Sequence, residues 1–226
     1  VRAAEEVTLQ SLVADLQALR NQRPRTLVGI TGPPGAGKST LARAVIDRLD
    51  ERAVIVPMDG FHLGQAVLER LGRADRKGAP DTFDAAGFVA LLRRLRSTDE
   101  TVFVPAFRRD LEEPINAAIM VPPQVDLILV EGSYLLLDEP PWDGVRPLLQ
   151  TCWYLAPDDT RRRERLIERH VRHGRSRRDA EAWVDRSDEA NARRVARSAT
   201  RADRVLGQPH DVGPPAGNAP PERSGH

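Results

Sequence analysis

Three short stretches carry side chains that could do chemistry together. "GPPGAGKST" (32–40) satisfies the spacing G-x-x-x-x-G-K-[ST] from Gly32 to Ser39. Glycines at these positions let a backbone curl until successive N–H groups point inward at phosphate. A helix opening directly behind the loop adds its positive N-terminal end. Gly32, Pro33, Pro34, Gly35, Ala36, Gly37, Lys38, Ser39 and Thr40 are therefore expected to wrap the phosphates of a nucleotide. Lys38 would reach the β- and γ-phosphates, and the Ser39 hydroxyl would ligate Mg²⁺. The other two stretches end apolar runs in an acid: Asp59 in "VIVPMDGFHLG" (54–64) and Glu131 in "DLILVEG" (126–132). An acid near a γ-phosphate can accept the proton of an attacking hydroxyl or hold Mg²⁺ through water. Asp59 suits the first role and Glu131 the second. The plainer alternative for Asp59 is a turn made with Gly60. His62, three residues on, either faces the site or packs as an ordinary histidine.

These residues need elements to hold them. "TLVGIT" (26–31) reads as a buried strand, "KSTLARAVIDRLD" (38–50) as a helix and "AVIVPM" (53–58) as a second strand. Residues 126–132 and 151–156 are two more strands, and "DRVL" (203–206) is a short last one. Leu9, Leu12, Val13, Leu16 and Leu19 recur at helical spacing near the start. Asp84 stands where it can cap a helix through Phe88, Leu91, Leu92 and Leu95. Residues 160–172 and 178–198 look helical, and "TVFVP" (101–105) is a strand within an insertion. Strands alternating with helices imply a parallel sheet covered on both faces, a three-layer α/β/α domain of about five strands. Ligands in such a sheet sit beyond the carboxyl ends of the strands. The loop, Asp59 and Glu131 should then share one crevice.

The bulk of the chain narrows its class. With 226 residues, one domain is expected, here residues 1–206 with a leading helix in 1–22. From Gly207 onward the chain turns Pro- and Gly-rich, and 207–226 is expected to be a disordered tail. Thirty-four basic and 33 acidic residues nearly cancel, which argues against a nucleic-acid partner. The single cysteine, Cys152, lies in an apolar run and reads as core. No apolar run approaches the ~20 residues of a membrane helix, and the first residues lack a signal-peptide core. A soluble cytoplasmic protein with no membrane partner is expected. No N-K-x-D guanine reader and no L-S-G-G-Q signature accompanies the loop, which leaves small-molecule kinases ahead of ATPase switches.

Several motifs in a fixed order sharpen this. "GPPGAGKST", "MDGFH", "KGAPDTFD" (77–84), "VPAF" (104–107), "LVEGSYLL" (129–136) and "RLIERHVRHGRS" (165–176) span most of residues 26–206. In that order the chain resembles the P-loop kinases that include uridine kinase, phosphoribulokinase and bacterial type I pantothenate kinase. "KGAPDTFD" looks most like the pantothenate kinase version, and the spacing from Asp159 to Arg175 is similar to the uridine kinase lid. The resemblance implies a catalytic acid at Asp59 and an acceptor segment holding Asp81, Phe83 and Asp84. It also implies an aromatic on the acceptor at Phe107. One departure stands out. Uridine kinases usually carry an acid right after that aromatic, whereas this chain has Arg108 and Arg109 there. Two guanidiniums suit an acceptor bearing a carboxylate or phosphate.

"RRRERLIERHVRHGRSRR" (161–178) is dense in arginine, and most of it reads as a solvated helix with Glu164 and Glu168 as partners. Arg161, Arg165, Arg169 and Arg172 share one face. A lid in this position, at 160–178, would cover ATP and neutralise the transferring phosphoryl group. Arg165, Arg169 and Arg175 are its candidates, with Arg169 nearest the chemistry. The expected activity is transfer of the ATP γ-phosphate, with Mg²⁺, to a hydroxyl of a nucleoside, pantothenate-like or sugar acceptor. The alternatives are a nucleoside monophosphate kinase and a non-catalytic ATP-binding regulator. The oligomeric state is left open, with a homodimer among the options.

Overall fold

The computed structural model describes residues 3–97, 99–209, 211 and 212. A five-stranded sheet lies at its centre, in the order β2-β5-β1-β6-β7, with every pairing parallel. Its strands are β1 (Thr26–Thr31), β2 (Ala53–Pro57), β5 (Leu127–Glu131), β6 (Thr151–Leu155) and β7 (Arg204–Leu206). All six residues of β1 and all five of β5 are buried. Burial on both faces explains why these strands read as continuous apolar runs rather than alternating ones.

The alternation is there, but both sides are core. Leu127 and Leu129 of β5 face one cluster, with Val28, Ile30, Trp153 and Leu155. That layer is closed by α1 (Leu9–Arg20), through Leu9, Leu12 and Leu16, and by α2 (Lys38–Ile46), through Leu41, Ala42 and Val45. Ile128 and Val130 face the opposite cluster, with Leu27, Cys152 and Tyr154. There α4 (Ala85–Leu95) contributes Phe88, Leu91, Leu92 and Leu95, and α7 (Glu189–Ser198) contributes Val195. This is the expected three-layer α/β/α fold. A fully buried Leu such as Leu12 is worth about 2–5 kcal/mol against alanine.

Local chemistry starts these helices, at Asp84 as the sequence reading expected and at Thr8, a cap that reading did not name. The Thr8 hydroxyl accepts from the Ser11 N–H and begins α1, and the Asp84 carboxylate accepts from the Gly87 N–H at 2.8 Å and begins α4. Two elements escaped the sequence reading. One is α3 (Gln65–Arg70), a short helix after the Asp59 turn. The other is the second arm of a hairpin, β3 (Val102–Arg108) against β4 (Glu113–Val121), antiparallel with a bulge at Val104/Ala106. "EPINAAIMV" mixes Pro, Asn and Ala, and Asn116 to Ala118 are exposed, so it carries no strand signal of its own. The expected helix at 178–198 is broken in two. α6 (Arg177–Trp183) passes through a wide five-residue turn, Val184–Asp188, into α7. α5 (Asp159–Arg172) precedes them, and its Leu166 and Ile167 join Ala180 and Val184 in a small core separate from the two main ones. Among the described residues no helix is long and apolar enough to cross a membrane.

Candidate active site

The parallel register sets the height of the site. Glu131, the last residue of β5, lies opposite Ile30 of β1 on one side and Pro57 of β2 on the other. Two residues beyond each of those partners come Gly32, which opens the loop, and Asp59. All three groups thus leave the same end of the sheet and line one cleft of about 1180 Å³.

The loop itself is closely built. Gly35 has φ +79°, and a Cβ there would stand 2.8 Å from Leu166 Cγ and 2.9 Å from the Arg162 carbonyl. Only glycine allows both the left-handed turn and that approach. Lys38 opens α2 yet is 9 % exposed. Its ammonium donates to the carbonyls of Gly32 (3.0 Å) and Pro33 (3.1 Å) and to Ser133 Oγ (3.1 Å). Burial pulls the Lys38 pKa down, and the charges of Glu131 and Asp59 oppose that pull. Ser39 Oγ donates to Glu131 Oε1 at 3.1 Å. Burial first, and then the charge of Asp59, push Glu131 up. A hydroxyl and a carboxylate beside a phosphate loop are the hard oxygen donors Mg²⁺ takes when nucleotide phosphates supply the rest. Among the described residues no group of three or more His, Cys, Asp or Glu could hold a metal alone.

Asp59 sits in a 3₁₀ turn, Met58–Phe61, directly after β2. The hairpin crosses that turn so closely that a Cβ on Gly60 would lie 2.2 Å from the Pro105 carbonyl. Gly60 is therefore more than a turn former: it lets β3 seat against the acid. Asp59 Oδ2 accepts from Arg109 at 3.1 Å, across from the hairpin. Burial would raise the Asp59 pKa, but the surrounding His62, Arg109, Lys38 and Arg169 outweigh it and hold the group below the ordinary carboxylate value. The acid is ionised at neutral pH. His62 Nδ1 lies 2.8 Å from the Asp59 carbonyl, so that nitrogen donates. Its ring packs on Phe83 (4.0 Å) and Phe107 (4.7 Å), and burial lowers its pKa. Lys77 completes this wall, its ammonium 5.6 Å from the centre of the Phe107 ring and 2.6 Å from the Glu112 carbonyl.

The third side of the cleft is α5 together with the turn and helix behind it. Arg165, Arg169, Arg172 and Arg175 all line it. Arg169 is drawn below its ordinary pKa by burial and then by the like charge of Arg109. Arg165 donates to Gln208 Oε1 at 3.2 Å, and the Arg175 guanidinium lies 4.0 Å over Trp183. Arg161, assigned to the same face, is exposed and outside the cleft.

Other expected site residues lie elsewhere. The Asp84 carboxylate serves the N-terminus of α4, and Asp81 is held by Arg76 (2.8 Å) and Arg73 (3.5 Å). Both line a smaller hollow of about 360 Å³ behind Phe83, with Trp142 and Arg194. Arg108 pairs with Asp110 at 2.6 Å at the exposed hairpin tip. Arg109, in the turn just past β3, lines the cleft and meets Asp59, whereas Arg108, the last residue of β3, does not line it. Sequence reasoning also missed Ser133, Lys77 and Gln208. Ser133 follows Glu131 by two residues, just past the end of β5, and that nearness was a usable signal. Gln208 had none, since residues from 207 were expected to be disordered. Gly207 instead donates to the Glu5 carbonyl (2.9 Å), Gln208 Nε2 to the Ala36 carbonyl, and Asp211 accepts from the Leu9 N–H at 3.0 Å. The rest of that tail, 213–226, lies outside the described residues. Buried Arg162 (3 % exposed) was missed as well. It joins Asp159 (2.9 Å), Glu189 (2.6 Å) and the Pro34 carbonyl (3.5 Å), tying α5 to the loop.

Comparison with known proteins bears on the family and the fold. Residues 6–208 match the family model described as "AAA ATPase domain". "Putative uridine kinase C227.14" of Schizosaccharomyces pombe is 34% identical over 205 residues, covering 85% of this chain and 87% of that one. "Uncharacterized protein YggC" of Escherichia coli is 34% identical over 203 residues, covering 88% and 84%. Among solved structures, the "putative fructose transport system kinase from Silicibacter sp. TM1040" is 37% identical. It superposes with a TM-score of 0.79 over 88% of this chain and 99% of that one.

Proposed function

This chain belongs to the P-loop NTPases described by that domain and, within them, to the P-loop kinases, and we propose that it transfers the γ-phosphoryl group of ATP to a hydroxyl of a small molecule. One observation carries the reading. An ionised carboxylate, Asp59, stands at the end of β2 in the same cleft as Lys38 and the Ser39–Glu131 pair. A nucleotide-hydrolysing switch needs only the loop and the Ser39–Glu131 pair. An aromatic wall of Phe83, His62 and Phe107 beside a second acid makes room for a second substrate.

In this reading the loop N–H groups hold the polyphosphate, and Lys38 exchanges its carbonyl partners for the β- and γ-phosphate oxygens. Ser39 and Glu131 would hold Mg²⁺, which would supply positive charge to the phosphate oxygens. Asp59 takes the acceptor's hydroxyl proton as the new O–Pγ bond forms and the bond from Pγ to the ADP oxygen breaks. Arg169 lies over the charge that develops on the transferring group, with Arg165 and Arg175 on the nucleotide side of the same lid. Catalysis is then mostly positioning and charge neutralisation. The relatives' names point to different acceptors, so the acceptor has to come from experiment.

The test is ADP release with Mg-ATP across nucleosides, pantothenate, sugars and sugar phosphates, in the wild type and in Asp59→Asn. Acceptor-stimulated release that collapses in Asp59→Asn is expected. Full activity in that variant would favour a nucleoside monophosphate kinase, whose acceptor is already an anion and needs no base. ATP binding without stimulation by any acceptor would favour a regulator.

A further inference from the structure

The cation that covers Asp59 says something about the acceptor. Arg109 occupies the space in front of Asp59 Oδ2, where an acceptor hydroxyl has to stand. Both side chains are partly exposed, 41 % and 32 %. Such a pair contributes no more than about 1 kcal/mol and exchanges readily. Once displaced, Arg109 faces Arg169, a like charge. Among the described residues it has no second ion-pair partner. Lys77 stands 5.6 Å from the centre of the Phe107 ring, bound to a neutral carbonyl, and it too has no ion pair among the described residues. The acids close in sequence are engaged. Asp81 is held by two arginines, and Glu113 Oε1 accepts from the Gln65 N–H at 2.9 Å. Glu112 also lines the cleft, where its charge acts on Arg169. Two cations thus line the cleft near an aromatic platform, Arg109 paired only with Asp59 and Lys77 with no acid, while Glu112 is the remaining acid beside them.

We propose that the acceptor bears a carboxylate or a phosphate monoester, and that this anion draws Arg109 off Asp59, with Lys77 as its second contact. The inference rests on the kinase reading above. Binding of the acceptor and release of the base become one event. The anion supplies the stronger, charge-assisted partner for the guanidinium. The acceptor hydroxyl then donates to the uncovered Oδ2, loses its proton there and attacks Pγ, with ADP leaving. Without an acceptor the pair keeps water from using Asp59, which suppresses idle ATP hydrolysis. Arg109 determines specificity, and its reach to Asp59 comes from the hairpin.

The test uses the full chain with Mg-ATP and matched pairs of probes: pantothenate with panthenol, D-glycerate with glycerol, D-ribose 5-phosphate with D-ribose. ADP release is measured for the wild type, Arg109→Ala, Lys77→Ala, Arg109→Ala/Asp59→Asn and Lys38→Ala. We expect the charged member of a pair to be preferred in kcat/KM by about tenfold or more, with Arg109→Ala and Lys77→Ala each removing most of that preference. The KM for Mg-ATP should hold in both. The responding pair tells carboxylate from phosphate. Acceptor-free hydrolysis should rise several-fold in Arg109→Ala and fall back in the double variant. Preference for the neutral members, or acceptor-free hydrolysis no higher in Arg109→Ala than in the wild type, would overturn the proposal. Failure of the kinase reading would look different, since no member of any pair, charged or neutral, would then raise ADP release above the acceptor-free rate.

Discussion

The two ends of the cleft are built from different materials. At the phosphate end the groups are mostly backbone, fixed by a fully buried strand on each side and by glycines that tolerate no Cβ. Lys38 and Glu131 are both nearly buried there. At the acceptor end the groups are side chains, carried on a 3₁₀ turn and a hairpin, joined by a partly exposed ion pair. Core packing makes the first end rigid, because a buried contact cannot be exchanged without opening the core. A surface pair can change partners at little cost. In the proposed reading, the first end suits the nucleotide and the second the acceptor.

The comparison can be broken most sharply at Asp59. Asp59→Asn keeps size and most hydrogen bonding but removes the base, and kcat should fall by about 10²–10⁴-fold. ATP affinity, measured separately by titration, should hold, since the loop is untouched. Lys38→Ala should lower kcat by about 10²–10³-fold, the usual loss for one preorganised donor. Here nucleotide affinity should fall too, and a variant that bound ATP normally would place the phosphates elsewhere.

Smaller effects test rigidity rather than rate. Gly35→Ala forces a side chain into φ +79° against Arg162 and Leu166, and should cost about 1–2 kcal/mol in urea unfolding. If it were silent, the phosphate end would be softer than its packing implies. Asp84→Ala should cost about 1 kcal/mol as a lost helix cap, and Asp84→Asn much less, with the acceptor KM unmoved in both. A raised KM would return Asp84 to the acceptor site. Arg108→Ala, at the hairpin tip, should change stability by under about 0.5 kcal/mol and leave acceptor use alone. A kinetic defect there as large as that of Arg109→Ala would mean the hairpin turns over on binding.

Much of the phosphate end was legible in the chain itself. The loop spacing, the apolar runs on either side of it and the acids that end two of those runs are contiguous patterns. Each dictates local backbone geometry with little help from distant residues. The same holds for the cap at Asp84 and for the parallel sheet. Tertiary structure decided the acceptor end. Which of two adjacent arginines meets Asp59 depends on the turn that follows β3 and on a β4 that has no strand signal, closing a contact across 50 residues. Ser133 meets Lys38 across 95 residues, because β1 and β5 are neighbours in the sheet although far apart in sequence. Gln208 reaches the loop only because β7 ends beside it, so a segment too polar to fold alone is tied down by partners already in place. A motif fixes the atoms within it; strand order, register and close approach fix which distant side chains it meets.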